Sequence, residues 1–384
     1  MTAHDLTRRQ ALGAAGALLA GSQIAPGPTA PAPGGQLAVE RVGVAPRVEL
    51  VNTLEYEEQA KLKLAPAVYS LIAGGDRGSF DRITLRPRML VDTLGLDLSV
   101  TLFGERLFAP IVIGPVADQK RFHADGEVAT VRGAAAARVI MIVSSRSSAP
   151  LQEIAAQART SLWYQVSAGD PAARRQIQDA VNAGCKAICI TVGAAPVASG
   201  TRRSAVAAKV DWPAVDALKQ GLNVPVLVKG IATPEAAQVA LLHGVDGIIV
   251  SNYGGLAGPG TEAVVLTLPA IVDAVSGKVP VLVDGSFRRG TDILKALAFG
   301  AESVLVARPA MWGLAAYGAD GVQGVVEMLQ TELARYMAMS GKTHLKMLDR
   351  TMLRVHGVRP VRTPGTGSMA GVSDHRAFDG AGRG

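Results

Sequence analysis

The chain has 384 residues, 48% of them hydrophobic and 18% charged, with a mean hydropathy of +0.25 and a net charge of +7. That composition excludes a mainly disordered chain, which could not bury enough apolar surface to offset its conformational entropy. No apolar run reaches the roughly 18 residues that cross a bilayer, and no basic stretch interleaved with aromatics points to nucleic acid, so the positive charge reads as ordinary solubility.

The segment Thr7-Arg8-Arg9-Gln10-Ala11-Leu12 precedes a mild apolar stretch over 11–20 and a Pro-rich block over 25–35. Paired arginines, a weak apolar core and a Pro-rich spacer resemble a twin-arginine export signal, here assigned with its linker to residues 1–36. The expectation is a protein exported folded, with its cofactor already loaded, to the periplasm or beyond. Residues 37–110 form an appendage, with short helices over 55–64 and 66–73 and extended segments over 83–90 and 96–103.

From residue 111 a pattern repeats. Apolar runs rich in β-branched residues fall at 111–117, 139–145, 162–167, 187–193, 225–231, 247–252, 280–286 and 303–309. Helical stretches lie between them at 127–138, 151–157, 171–183, 213–220, 234–243, 268–275 and 291–299, and a long one over 321–339 closes the series. Near-continuous apolar strands suit a parallel sheet buried on both faces. Eight of them alternating with helices predict an α/β fold, a (β/α)8 TIM barrel over 111–357 behind an N-terminal helical and extended appendage. An open doubly wound sheet would place a glycine-rich phosphate turn after the first strand. Here Asp118-Gln119-Lys120-Arg121 follows instead. Residues 358–384 read as a Gly-, Pro- and Ser-rich tail.

In a barrel, chemistry collects at the C-terminal strand ends. Those positions carry Pro115 and Ala117, Ser144 and Ser145, Gln165, Thr191 and Gly193, Lys229, Ser251 to Tyr253, Asp284 and Gly285, and Ala307 and Arg308. Burying Lys229, Asp284 and Arg308 unpaired is costly, so a polar group is expected to meet them. Gly285 admits close backbone approach, and with Arg288 and Arg308 it is suited to surround a phosphate. The alternatives are a loop of solvated arginines and an ion-paired barrel lysine at Lys229. Cys185 and Cys189 flank a strand start and read as core thiols, and the scattered histidines have no metal-ligand spacing, so no metal is expected.

The segments Val228-Lys229-Gly230, Val250-Ser251-Asn252, Val283-Asp284-Gly285-Ser286-Phe287-Arg288-Arg289-Gly290 and Ala307-Arg308-Pro309 resemble the FMN-dependent 2-hydroxy-acid oxidase and dehydrogenase family. The likeness extends to Tyr56-Glu57-Glu58-Gln59, Leu85-Arg86-Pro87-Arg88, Asp125-Gly126-Glu127 and Ser340-Gly341, so it runs in order over residues 50–355. The resemblance implies FMN as cofactor and hydride transfer from an organic substrate to flavin N5. It implies that Pro115, Val116 and Ala117 form a shelf beside the flavin ring. Ser144, Gln165, Thr191 and Ser251 are its polar contacts, and Lys229 is the cation near N1–C2, which stabilises charge on the reduced ring. Asp284 is the ribityl contact, and Gly285, Ser286, Arg288, Ala307 and Arg308 hold the phosphate.

The substrate side departs from the family. Where the family has Ser-Asn-His-Gly-x-Arg, this chain has Ser251-Asn252-Tyr253-Gly254-Gly255-Leu256. Tyr253 stands in place of the histidine base and Leu256 in place of the carboxylate-binding arginine. Gly193 stands where an aspartate orients that base, and Leu71 and Ser167 where tyrosines face the substrate. Arg146, where the family often has an aromatic residue, is a candidate for an anionic substrate, and Arg202 and Arg203 are the residue of a shortened lid. A base with a pKa near neutrality suits 2-hydroxy-acid oxidation, and a tyrosine near 10 does not. Tyr253 is therefore either an unusual acid, base or hydrogen-bond donor, or a packing aromatic. The expectation is an FMN oxidoreductase with a non-standard small organic substrate, reoxidised by O2 or by an envelope redox partner, without nucleic acid and as a homo-oligomer. The alternative is a flavin-binding electron carrier or partner-binding protein without hydroxy-acid turnover.

Overall fold

A computed structural model of the protein describes residues 44–75, 78–87, 93–193, 210–253 and 263–357. The expected signal and linker, the tail, Arg202, Arg203 and Leu256 lie outside the described residues. The appendage begins with a helix at Thr53–Lys63, whose N-cap Asn52 accepts hydrogen bonds from the backbone of Leu54 and Glu55. Strand β1 (Ile83–Leu85) follows, then the hairpin of β2 (Val100–Leu102) and β3 (Glu105–Leu107).

The predicted barrel strands all form: β4 (Ile111–Ile113), β5 (Ile140–Ser144), β6 (Leu162–Ser167), β7 (Ala187–Thr191), β8 (Val226–Ile231), β9 (Gly247–Val250), β10 (Val281–Asp284) and β11 (Ser303–Val306). They pair in parallel in chain order and close through β11 onto β4, with Val304 opposite Ile111. Strand β12 (Leu353–Val355) returns to pair antiparallel with β1.

Side-chain alternation divides the apolar residues into two cores. Val112, Ile142, Cys189, Leu227, Ile249 and Leu282 point into the barrel, and Leu102 and Leu107 of the hairpin join them. Phe103 packs on Trp163 with ring centroids 5.6 Å apart and lies against Gly247 at the start of β9, so the hairpin plugs the N-terminal end. Ile111, Ile113, Met141 and Val143 face the helices, in a core that also takes Tyr56, Ala60, Ile72 and Phe80 from the appendage. Appendage and barrel thus share buried surface. Both thiols are buried, and burial pushes each up to about 12, as expected of inert core cysteines.

Some boundaries differ from the sequence reading. The last helix runs Arg308–Met339, with non-helical backbone at Tyr317 and Gly318, so Arg308 begins a helix and does not end a strand. Pro309 reads as a breaker, yet in the first helical turn its missing N–H costs nothing. The helix expected from 268 begins earlier, at Val264.

Candidate active site

A cavity of about 550 Å³ opens at the C-terminal ends of the strands. It is lined by Pro115, Ala117, Ser144, Gln165, Thr191, Lys229, Asp284, Gly285, Ser286, Arg288, Ala307 and Arg308, with Leu71, Arg146, Ser167, Gly193 and Tyr253 on the substrate side. Val116 and Ser251 stand behind the wall: the Val116 carbonyl accepts from Gln119 Nε2 at 3.2 Å, and Ser251 is buried beneath Lys229. A larger groove, about 670 Å³, lies at the other end of the barrel beside Arg138, Arg159 and Lys186. Arg138 and Arg159 lie just past helix ends, and Arg138 also stacks over the Phe108 ring, 4.2 Å from its centroid.

Lys229 and Asp284 reach each other across the mouth from β8 and β10, Nζ to Oδ2 at 2.6 Å. Lys229 also donates to Ser251 Oγ at 2.9 Å. The second Asp284 oxygen is buried with no hydrogen-bond partner among the described residues. Along the adjacent wall, Ser144 donates to Gln165 Oε1 at 3.1 Å, and Gln165 Nε2 donates to Thr191 Oγ1 at 3.0 Å. That chain fixes the orientation of the amide.

The arginines are held before any ligand arrives. Arg288 Nη2 and Arg308 Nη1 both donate to the carbonyl of Gly74, each at 3.0 Å. Arg288 also lies over the Trp312 ring, 4.5 Å from its centroid, and its backbone N–H donates to Asp292 at 3.0 Å. Thr53 from the appendage donates to its carbonyl. Burial draws Arg308 below the usual arginine range, while Asp284 and Glu57 oppose that shift. Gly75 has φ +110, and a Cβ there would lie 2.0 Å from Arg308 Nη1, 2.9 Å from Ser286 Oγ and 3.2 Å from Arg288 Nη2. Two guanidinium groups and a serine hydroxyl thus converge on a point that only a glycine backbone can approach. This donor set suits a phosphate dianion.

Ser286, where the family usually has glycine, sits at φ 60, a conformation a side chain makes less favourable.

On the substrate side, Tyr253 also has a left-handed backbone, φ 57, and its N–H donates to Ser251 Oγ at 3.1 Å. Lys229 Nζ stands 5.4 Å from the centre of its ring. Its hydroxyl is enclosed, with no hydrogen-bond partner among the described residues. A Cβ built on Gly193 would lie 2.6 Å from this hydroxyl, and one built on Gly230 would lie 2.4 Å away. Burial pushes the phenol up to about 12, so it keeps its proton at neutral pH. Arg146 is exposed on the rim, and Leu71 is 54% exposed.

Sequence reasoning missed two features. Gly74 and Gly75 carry the phosphate turn from the appendage, and an isolated Gly-Gly pair gives no hint of arginines more than two hundred positions away. In sequence Glu127 belongs only to the Asp125-Gly126-Glu127 likeness to the family. Its fully buried carboxylate accepts from Gln119 N at 3.1 Å, Ser148 N at 2.9 Å and Ala149 N at 3.2 Å, tying together the loops that follow β4 and β5.

Fold and site together define a (β/α)8 barrel with two converging arginines at the C-terminal ends of its strands. The family described as FMN-dependent dehydrogenase matches residues 72–204 and 193–355. A peroxisomal (S)-2-hydroxyacid oxidase of Arabidopsis thaliana is 35% identical over 357 residues, 81% of this chain and 98% of the relative. The glycolate oxidase of Spinacia oleracea is 35% identical over 352 residues, 79% of this chain and 95% of the relative. A mandelate oxidase solved with (S)-mandelic acid superimposes with a TM-score of 0.73 at 34% identity, covering 80% of this chain and 100% of that one.

The chain belongs to the FMN-dependent dehydrogenase family, whose members include 2-hydroxy-acid oxidases, and is an FMN-dependent oxidoreductase. The cavity fits that cofactor on its own terms: the orphaned Asp284 oxygen awaits a hydroxyl, and the Gly75 cradle awaits a phosphate.

Proposed function

We propose that this oxidoreductase takes a hydride equivalent from an organic donor through a rebuilt substrate half that does not suit ordinary 2-hydroxy acids. Bound FMN supplies the electron acceptor at N5. Following the family resemblance, Gly285, Ser286, Arg288, Ala307 and Arg308 hold its phosphate, Asp284 its ribityl chain, and Ser144, Gln165 and Thr191 its ring edge; the convergence of both arginines and Ser286 beside Gly75 supports adding that residue to the phosphate site. Lys229 stabilises negative charge beside N1–C2.

The observation that carries the reading is the contrast at one mouth. Most residues expected to contact the phosphate and the ring line the cavity, while the position of the base holds Tyr253 with its hydroxyl enclosed between Gly193 and Gly230. Removing a hydroxyl proton needs an accessible group with a pKa near the working pH. Tyr253 supplies neither condition. Leu256, outside the described residues, replaces the arginine that would clamp a carboxylate, which leaves Arg146 and the Arg202-Arg203 pair as the cations for an anionic substrate. The arginine pair at residues 8–9 supports export to the periplasm or beyond. Reoxidation by O2 or by an envelope redox partner, and a homo-oligomeric state, complete the proposal by family analogy.

The test is anaerobic mixing of the FMN-loaded protein with lactate, glycolate and (S)-mandelate in a stopped-flow spectrometer. The expected result is a flavin that stays oxidised. Rapid bleaching by any of the three overturns the proposal. The enclosed hydroxyl also favours a second reading, a flavin-binding electron carrier. Photoreduced protein that passes electrons to redox partners, while no small organic donor reduces it, selects that reading.

A further inference from the structure

We propose that Tyr253 is a specificity-determining wall, in which the hydroxyl serves as a lock and the carbon face of the ring, with Leu71, receives an apolar or aromatic part of the substrate. The proposal rests on the flavin reading for its location and on packing for its content. A tyrosine that donates or accepts a proton presents its oxygen to the ligand. Here the oxygen has no accessible surface and lies where side chains at residues 193 and 230 would have to be. Both of those residues are glycines with positive φ, +92 and +113, so the backbone of β8 and of the segment after β7 forms a notch shaped by two missing side chains.

The ring cannot easily leave that notch. Its backbone N–H is held by Ser251 Oγ at 3.1 Å, and the same serine oxygen accepts from Lys229 Nζ at 2.9 Å. Lys229 stands over the ring and is anchored to Asp284 at 2.6 Å. A ring fixed at both ends still lines the cavity, so what it offers a ligand is carbon. Leu71 is 54% exposed and lines the same cavity, where it adds apolar surface. The two side chains that the family resemblance assigns to polar work are thus replaced by apolar surface. Charge on the same cavity comes from Lys229, over the Tyr253 ring, and from Arg146 and Asp170.

Two experiments test this. The first measures the lock on the full chain by chemical denaturation in a double-mutant cycle with Gly193→Ala and Tyr253→Leu. The added methyl is expected to lower the denaturation midpoint clearly more in the wild type than in the Tyr253→Leu background, because only the wild type has a hydroxyl to collide with. Equal losses in both backgrounds overturn the lock. The second titrates the FMN-loaded protein with phenylacetate and with acetate, by calorimetry and by the flavin difference spectrum. Phenylacetate is expected to bind about tenfold or more tightly than acetate, Tyr253→Phe to keep that preference within about twofold, and Tyr253→Ala to abolish it. A tenfold loss in Tyr253→Phe, or no preference for phenylacetate in the wild type, overturns the wall. A chain that takes up no FMN removes the flavin reading instead, and the denaturation cycle still decides the lock.

Discussion

The half of the cavity proposed to hold the flavin and the half proposed for the substrate differ in how their polar groups are held. In the first, Lys229 is bonded to Asp284 and Ser251, Gln165 is bonded on both sides, and the two arginines share the carbonyl of Gly74. In the second, the hydroxyl of Tyr253 is enclosed without a hydrogen-bond partner among the described residues, and Arg146 lies exposed. The difference teaches which parts of an active site can change cheaply. Removing one member of a buried charged network strands its partner, which costs about 3–5 kcal/mol. Exchanging volume between a ring at residue 253 and a side chain at residue 193 strands no charge.

The largest effect is expected from Lys229→Leu. It leaves the Asp284 carboxylate unpaired in a site where the two side chains are 9% and 16% exposed, so a loss of about 3–5 kcal/mol in denaturation, together with loss of FMN binding, is expected. A variant as stable as the wild type breaks the comparison on its stronger side.

Gly75→Ala comes next. The methyl both enters the arginine cradle and meets a φ of +110, so FMN affinity measured by flavin fluorescence should fall about tenfold or more. Unchanged affinity removes the glycine turn from the cradle.

Alkaline pH gives a more distributed effect. Cys185 and Cys189 have an ordinary value of 9.0 and Tyr164 and Tyr253 one of 10.0, and burial raises all four to about 12. The folded state then holds these protons more tightly than the unfolded state. The associated stability is complete below about pH 9 and is lost as the pH rises toward 12. Denaturation midpoints at pH 8 and pH 11 should show the loss, and Tyr253→Phe should lessen it. No difference in that variant places the phenol in water.

The smallest effect belongs to Arg146→Gln. As an exposed rim charge, Arg146 should contribute about 0.2–1 kcal/mol, a severalfold change in the affinity for an organic anion read by calorimetry. A hundredfold loss shows a clamp as strong as the one the substrate half is argued to lack.

The barrel was legible because its strands are buried on both faces: Ile111–Ile113 and Gly247–Val250 are apolar throughout. The start of the last helix was not, since Pro309 carries the same local signal whether it ends a strand or opens a helix. In the site, Lys229 and Asp284 were legible as charges at strand ends, and Arg288 and Arg308 as arginines in the segments just after them. The Gly74-Gly75 turn and the tie made by Glu127 were not, because each acts through contacts that only the folded chain brings together. The direction of the Tyr253 hydroxyl was equally hidden. It depends on the absence of side chains at residues 193 and 230, and a glycine in sequence does not say what will fill its space.

A crystal structure of the protein with FMN and phenylacetate tests both halves at once. The account predicts the phosphate against Gly75, Ser286, Arg288 and Arg308, with the Tyr253 hydroxyl still seated between Gly193 and Gly230 and its ring against the phenyl group. A Tyr253 hydroxyl swung out to hydrogen-bond the ligand, or a phosphate bound away from the two arginines, contradicts it.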